Sequence, residues 1–194
     1  MRTLAEIVGL FQENLRLVEE LERQARTDGL TGLKNRHLLV DQLEREVGRC
    51  RREETTLSVA FFDLDQFKEL NDGYGHACGD QVLVAVADRL RHDFRETDDL
   101  YRYGGDEFLV IFPATSARDA AATIERLLDR VRAANAEDES GGPSVTLSVG
   151  VAEWSEGESP KDLLRRADEA LYSSKSRGRD RVTVAEANRS VESA

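Results

Sequence analysis

Cysteine is almost missing from this chain: Cys50 and Cys78 are its only two. Two thiols cannot build a disulfide framework, which removes the small secreted domains stapled by bridges. Long apolar runs are missing too. None approaches the roughly 20 residues of a membrane helix, and no secretory leader is visible. The expectation is a soluble, cytoplasmic chain with no membrane contact of its own; an anchor elsewhere in a longer parent protein stays open. Positive charge is the third shortage. Lysine and arginine number 27 against 38 aspartates and glutamates, a net charge of −11. That field opposes a polyanionic duplex, so no nucleic acid partner is expected. A smaller phosphorylated ligand would need metal ions and a local basic patch to offset it.

Proline is absent from residues 3–26, which hold a single glycine. Leu4, Val8, Phe11, Leu15 and Val18 recur there at spacings of four and three, a helical seam. Glu22 falls where the next seam residue is due, Ala25 follows, and Leu10, Leu17 and Leu21 widen the apolar face. The segment reads either as an amphipathic helix packed on its own domain or as a parallel coiled coil of about three heptads pairing two chains. Residues 1–26 are expected to form that helix, 27–184 one folded domain, and 185–194 a flexible polar tail.

Within the domain, Thr27 to Lys34 is a glycine-punctuated break. A helix of about 20 residues is expected from Asn35 to near Glu54. Leu57 to Phe62 is a near-continuous apolar run, the pattern of a central strand buried on both faces, which Asp63 ends. Phe67 to Asn71 reads as a short helix closed by a loop to Gly75, and Cys78 to Phe94 as a longer one. Ser116 with Asp119 starts a helix to Ala136. Val145 to Val151 is a strand. Ser159, Pro160 and Asp162 open a helix that ends near Ser176, with Gly178 as its stop. Arg181 to Val184 is a last short strand. This order suits an α+β domain, a mostly antiparallel sheet with helices on one face.

Arg102-Tyr103-Gly104-Gly105-Asp106-Glu107-Phe108 is the most informative stretch. It lies between expected strands Asp99 to Tyr103 and Phe108 to Phe112. A Gly-Gly pair supplies a tight hairpin because glycine accepts positive φ. Asp106 and Glu107 then stand on a rigid tip, as metal ligands or as ordinary solvated turn acids. The Leu57 strand and the first hairpin strand are joined by a helical crossover, so they should run parallel. Asp63 and the hairpin tip would then share one end of the sheet, where three carboxylates converge. Such a set can bridge two hard cations, which take oxygen ligands and keep phosphates as partners.

Gly104 to Phe108 spells the signature of the GGDEF family, the diguanylate cyclases. It occurs with Asp28-Gly29-Leu30-Thr31-Gly32-Leu33, Phe62-Asp63-Leu64-Asp65-Gln66-Phe67-Lys68 and Asn71-Asp72-Gly73-Tyr74-Gly75-His76 before it. Leu147-Ser148-Val149-Gly150-Val151, Ala167-Asp168-Glu169-Ala170-Leu171-Tyr172, Lys175 and Gly178-Arg179 follow it. In this order, over roughly residues 27 to 184, the chain resembles that family. The resemblance implies a palm-like α/β domain with flanking helices, related to class III nucleotide cyclases.

It further implies a diguanylate cyclase that condenses two GTP into cyclic di-GMP and two pyrophosphates across a homodimer, paired through the N-terminal helix. It implies Mg²⁺ or Mn²⁺, two per half-site, on Asp63, Asp106, Glu107 and the carbonyl of Leu64. Asp106 matches a position assigned as general base, although a metal-activated hydroxyl does not require one. Phe67 and Lys68 fall in the family's phosphate loop; a helix N-terminus there suits phosphate, and a plain surface lysine is the alternative. Asn71 and Asp80 match the guanine readers. A carboxylate accepts from guanine N1–H and its amine, whereas adenine offers an acceptor there; the plainer roles are a turn and a helix cap. His76 is a substrate contact or a structural loop residue. Lys175 and Arg179 match triphosphate ligands, or simply complement a helix dipole. Arg95 and Asp98 have the spacing of the inhibitory product site, with Arg126 or Arg130 as a second arginine. The rival readings are a catalytically silent cyclic di-GMP receptor and a cyclase making a mixed or adenine dinucleotide.

Overall fold

The structure is a computed structural model, describing residues 13, 16, 18, 26–137 and 142–187. The N-terminal seam and most of the tail therefore lie outside the described residues. β1 (Lys34–Asn35) leads through a 3-10 turn (Arg36–Leu38) into α1 (Leu39–Glu53). β2 (Leu57–Leu64), α2 (Phe67–Tyr74) and α3 (His76–Asp93) follow. β3 (Asp99–Arg102) and β4 (Glu107–Pro113) form the hairpin. α4 (Ala117–Glu137), β5 (Leu147–Glu153), α5 (Pro160–Ser176) and β6 (Arg181–Val184) complete the domain.

The sheet order is β1-β3-β4-β2-β5-β6. β4 is antiparallel to both β2 and β3, so β2 and β3 run the same way with β4 between them. The pairs β1–β3 and β5–β6 are parallel, which makes the sheet mixed. The crossover expectation holds, and it sets Asp63 directly opposite Glu107.

Helices cover both faces of the sheet, not one. Ala60, Phe62, Phe108, Val110, Val149 and Val151 pack with Leu83, Leu90, Ile124 and Leu127 of α3 and α4. Val59, Phe61, Tyr101, Leu109 and Ile111 pack with Leu39, Leu43, Leu163 and Leu171 of α1 and α5. All eight residues of β2 are buried, as a strand sandwiched on both sides must be. Each such Leu or Phe contributes about 1.5–3 kcal/mol relative to exposure. α5 lies close to β5: a Cβ on Gly150 would come within 2.1 Å of the Ala167 carbonyl and the Leu171 nitrogen.

Several boundaries differ from the sequence expectation. Asp63 does not end β2; the ladder continues to Leu64 because β4 and β5 pair on either side of it. Asn35 caps the 3-10 turn, its side chain accepting from His37 N, so the regular helix starts only at Leu39. α5 starts as expected, with Ser159 accepting from Asp162 N and proline in its first turn.

Candidate active site

Strand alternation builds the site. Residues 57, 59, 61 and 63 of β2 point to the α5 side, and Glu107 follows Leu109 and Ile111 to that same side. Asp63 and Glu107 are therefore neighbours at the end of the sheet. The hairpin locks beside them: Tyr103 N and Gly104 N donate to the Glu107 carbonyl, and Glu107 N donates to the Gly104 carbonyl. Leu64 N donates to the Asp106 carbonyl, tying the tip to the end of β2.

Neither hairpin glycine adopts a positive φ, which corrects the reason expected for them. Gly104 instead leaves room: a Cβ there would come within 3.0 Å of Glu107 Oε2. Arg102 braces the tip. Its Nη1 donates to both carboxylate oxygens of Asp28 at 3.0 and 3.2 Å, and its Nη2 to the Gly105 carbonyl at 2.8 Å.

The acids are crowded and short of positive charge. Burial pushes the Asp63 carboxyl up; the Lys175 ammonium opposes this, and Asp106 and Asp65 add to it. Burial also pushes Glu107 up, with Asp63 and Asp106 repelling and Lys175 opposing. Lys175 Nζ sits 2.6 Å from Asp63 Oδ2. A single monovalent cation is thus already seated against the acids, while burial first and mutual repulsion second keep their proton affinity raised.

Among the described residues no three His, Cys, Asp or Glu side chains form a ready-made metal cage. Mg²⁺ usually takes one or two carboxylates and completes its shell with water and substrate phosphate. Asp63 and Glu107, with Asp106 adjacent, fit that partial donor set.

Asp65 behaves differently. Although it lies only two residues beyond Asp63, its carboxylate accepts from Thr146 Oγ1 at 2.7 Å, Ser148 Oγ at 2.6 Å and Asp180 N at 3.1 Å. It belongs to the structure around the site, a role the sequence reading did not assign. The signal was a second strand-end acid at a spacing of two.

Lys68 is exposed in the first turn of α2, near its N-terminus, and Phe67 is half-buried beside it. Asn71 lies within α2 and Asp80 within α3, so Asp80 is not a helix cap. Asn71 Oδ1 is buried without a hydrogen-bond partner. A Cβ on Gly79 would come within 2.0 Å of that oxygen, so α3 can pass Asn71 only at a glycine. Asp80 and His76 are exposed on the same stretch. Arg179 is half-exposed, its Nε 4.0 Å from Asp65 Oδ1.

Arg95, Asp98 and Arg126 line one separate cleft of about 110 Å³, with Phe112, Thr115 and Thr123. Asp98 is buried, which pushes its carboxyl up, while Arg95 N donates to its Oδ2 at 2.9 Å. Arg130 does not line this cleft and is paired with Asp93. Of the two arginines the sequence offered, Arg126 is the one brought to it.

The sequence model described as "Diguanylate cyclase, GGDEF domain" matches residues 25–181. The chain is 40% identical over 168 residues to the diguanylate cyclase DgcP of Pseudomonas aeruginosa, covering 87% of this chain and 25% of that protein. It is 38% identical over 188 residues to the diguanylate cyclase DosC of Escherichia coli K12, covering 94% and 39%. It thus spans between a quarter and two fifths of the length of these curated relatives. The crystal structure of the GGDEF domain of DgcB from Caulobacter crescentus, in complex with c-di-GMP, superposes with a TM-score of 0.78 at 40% identity. That match covers 84% of this chain and 97% of the other. With the hairpin, its paired acids and a family match over most of its length, the chain belongs to the GGDEF-domain family of diguanylate cyclases.

Proposed function

We propose that this chain is a diguanylate cyclase. One observation carries the reading: Asp63 and Glu107 are register partners on adjacent strands, beside Asp106, in a setting where burial and repulsion both raise their proton affinity. Two divalent cations, Mg²⁺ or Mn²⁺, held there would activate the attacking hydroxyl and neutralise the triphosphate. Asp63, Glu107 and the Leu64 carbonyl would hold them.

The remaining residues bind and orient GTP. Lys68 at the start of α2 and Arg179 beyond α5 supply charge to the triphosphate. Lys175, now on Asp63, belongs to the same cationic set. Asp80 takes the N–H edge of guanine, and the unpartnered Asn71 Oδ1 marks a place where a hydrogen bond is still missing. Phe67 at the start of α2 and His76 at the start of α3 lie on the same two helices as these readers.

Two such half-sites face each other in a homodimer. Each 3′-hydroxyl attacks the other nucleotide's α-phosphate, the bond to pyrophosphate breaks, and Asp106 takes the hydroxyl proton in this reading. A monomer cannot close the ring, and residues 1–26 are proposed to raise the partner's local concentration. Arg95, Asp98 and Arg126 are proposed to bind product and inhibit; their shared cleft supports this.

The purified chain given GTP and Mg²⁺ should yield cyclic di-GMP and two pyrophosphates, identified by mass, from a species of dimeric mass. GTP bound but never turned over, in either metal, would replace the enzyme with a receptor. Product made equally well from ATP would move the assignment to another dinucleotide.

A further inference from the structure

The loop after α5 holds Arg179 in an unusual way. Arg179 and Asp180 are consecutive non-glycine residues with positive φ, 62° and 45°. Gln66, which opens α2 and the Phe67–Lys68 turn, has a φ of 58°. Left-handed backbone at such residues persists only where surrounding contacts over-determine it. Here those contacts converge from three elements. Asp65 immediately precedes Gln66, and its buried carboxylate accepts from Asp180 N as well as from Thr146 and Ser148 at β5. From the other side, Arg132 of α4 donates Nε to Asp180 Oδ2 and Nη2 to the Asp180 carbonyl, both at 2.8 Å.

Asp65 is engaged in structural hydrogen bonds. Three donors already claim its oxygens, in contrast to Asp63 two residues earlier. Arg132 is 48 residues from Asp180 in sequence. Together they hold one strained dipeptide from above and below. One carboxylate therefore joins the two stretches that carry Lys68 and Arg179.

We infer that Asp65 and Arg132 are positioning residues for the triphosphate: they fix the Gly178–Asp180 turn so that Arg179 is aimed before nucleotide arrives. This rests on the cyclase reading above. A flexible arginine would lose conformational freedom on binding; a turn fixed in advance has already lost it. The ligand chemistry concerned is the polyphosphate, not the base and not the cyclic product.

The test uses the full chain with a non-hydrolysable GTP analogue and Mg²⁺, measured by calorimetry. Arg132→Gln is the principal variant, because that side chain is partly exposed and its loss leaves the core intact. Its affinity for the analogue should fall roughly ten-fold, while binding of cyclic di-GMP and the melting temperature stay near wild type. Arg132→Lys, which keeps the charge but not the fork, should recover only part of the loss. The decisive comparison is Arg132→Gln combined with Arg179→Gln. If Arg132 acts through Arg179, the double variant binds no worse than Arg179→Gln alone. Additive losses, an unchanged Arg132→Gln, or equal weakening of cyclic di-GMP would each overturn the inference. Asp65→Asn should reproduce the loss; where it lowers the melting temperature, the Arg132 cycle alone decides. Wild-type chain that binds no GTP analogue would instead remove the cyclase reading itself, and this inference with it.

Discussion

Two groups in this molecule set carboxylates against a cation and end in opposite states. Glu158 and Arg166 form a closed pair. Arg166 donates Nε and Nη2 to the two Glu158 oxygens at 2.7 Å, and its remaining capacity goes to the carbonyls of Glu153 and Glu186. Asp63 and Glu107 form an open group: two acids, a third beside them, one lysine, and proton affinities raised by burial and repulsion. The closed pair ties α5 to the loop before it and to the chain after β6. The open group stands at the ends of the two central strands β2 and β4. Burial alone does not separate them; closure does. Acids left without a closing partner in a rigid frame are the arrangement on which the proposed metal role rests.

Removing one member of each group breaks the comparison most sharply. Asp63→Asn or Glu107→Gln should reduce dinucleotide synthesis by about a thousand-fold or more, without loss of fold by circular dichroism. Activity above a tenth of wild type would show that the acids are not the metal ligands. Arg166→Met should do the reverse at the other site. It strands the buried Glu158 carboxylate and should cost about 3–5 kcal/mol in urea unfolding.

The open group should also shape stability against pH. Asp63 and Glu107 have raised folded pKa values, so the native state holds their protons more tightly than the unfolded chain does. Their contribution is therefore full below the unfolded carboxylate range and is lost as pH rises through the folded values. Urea midpoints of wild type and Asp63→Asn, followed from about pH 4 to about pH 7, should converge at the acid end. Toward neutrality the variant should become the more stable protein. Parallel curves would mean that neither burial nor repulsion raises the proton affinity of Asp63.

Smaller effects sharpen the reading. Gly79→Ala must displace the Asn71 side chain, since the new Cβ would lie 2.0 Å from its oxygen. KM for GTP should rise about ten-fold with kcat less affected, if Asn71 reads the base. Arg95→Ala should leave the initial rate of synthesis almost unchanged and abolish slowing by accumulated product. Product inhibition that survives it would move the inhibitory site elsewhere.

Much of this was legible in the sequence, for physical reasons that differ by element. The Leu57–Phe62 run lacked alternation because both faces of β2 are covered, and that same fact should have argued against helices on one face only. Asp63 resembles a strand terminator because charge usually ends a buried strand; here β4 pairs with it through Glu107 and β5 continues past it to Leu64. The hairpin was placed correctly, but its glycines serve a nearby carboxylate rather than positive φ. The clamp between Arg102 and Asp28 joins residues 74 apart, and that on Asp180 joins residues 48 apart. No local pattern marks such contacts. Separating Arg126 from Arg130 likewise takes the geometry, since both lie on α4 and only Arg126 lines the cleft, with Arg130 paired to Asp93.

The central claim is that acids from β2 and from the hairpin jointly hold divalent metal with nucleotide. Mn²⁺ binding in the presence of a non-hydrolysable GTP analogue, read by electron paramagnetic resonance, tests it most directly. Wild type should bind Mn²⁺ tightly only with the nucleotide present, and Asp63→Asn and Glu107→Gln should each weaken that binding by at least roughly ten-fold. Unaltered Mn²⁺ affinity in either variant would contradict the account.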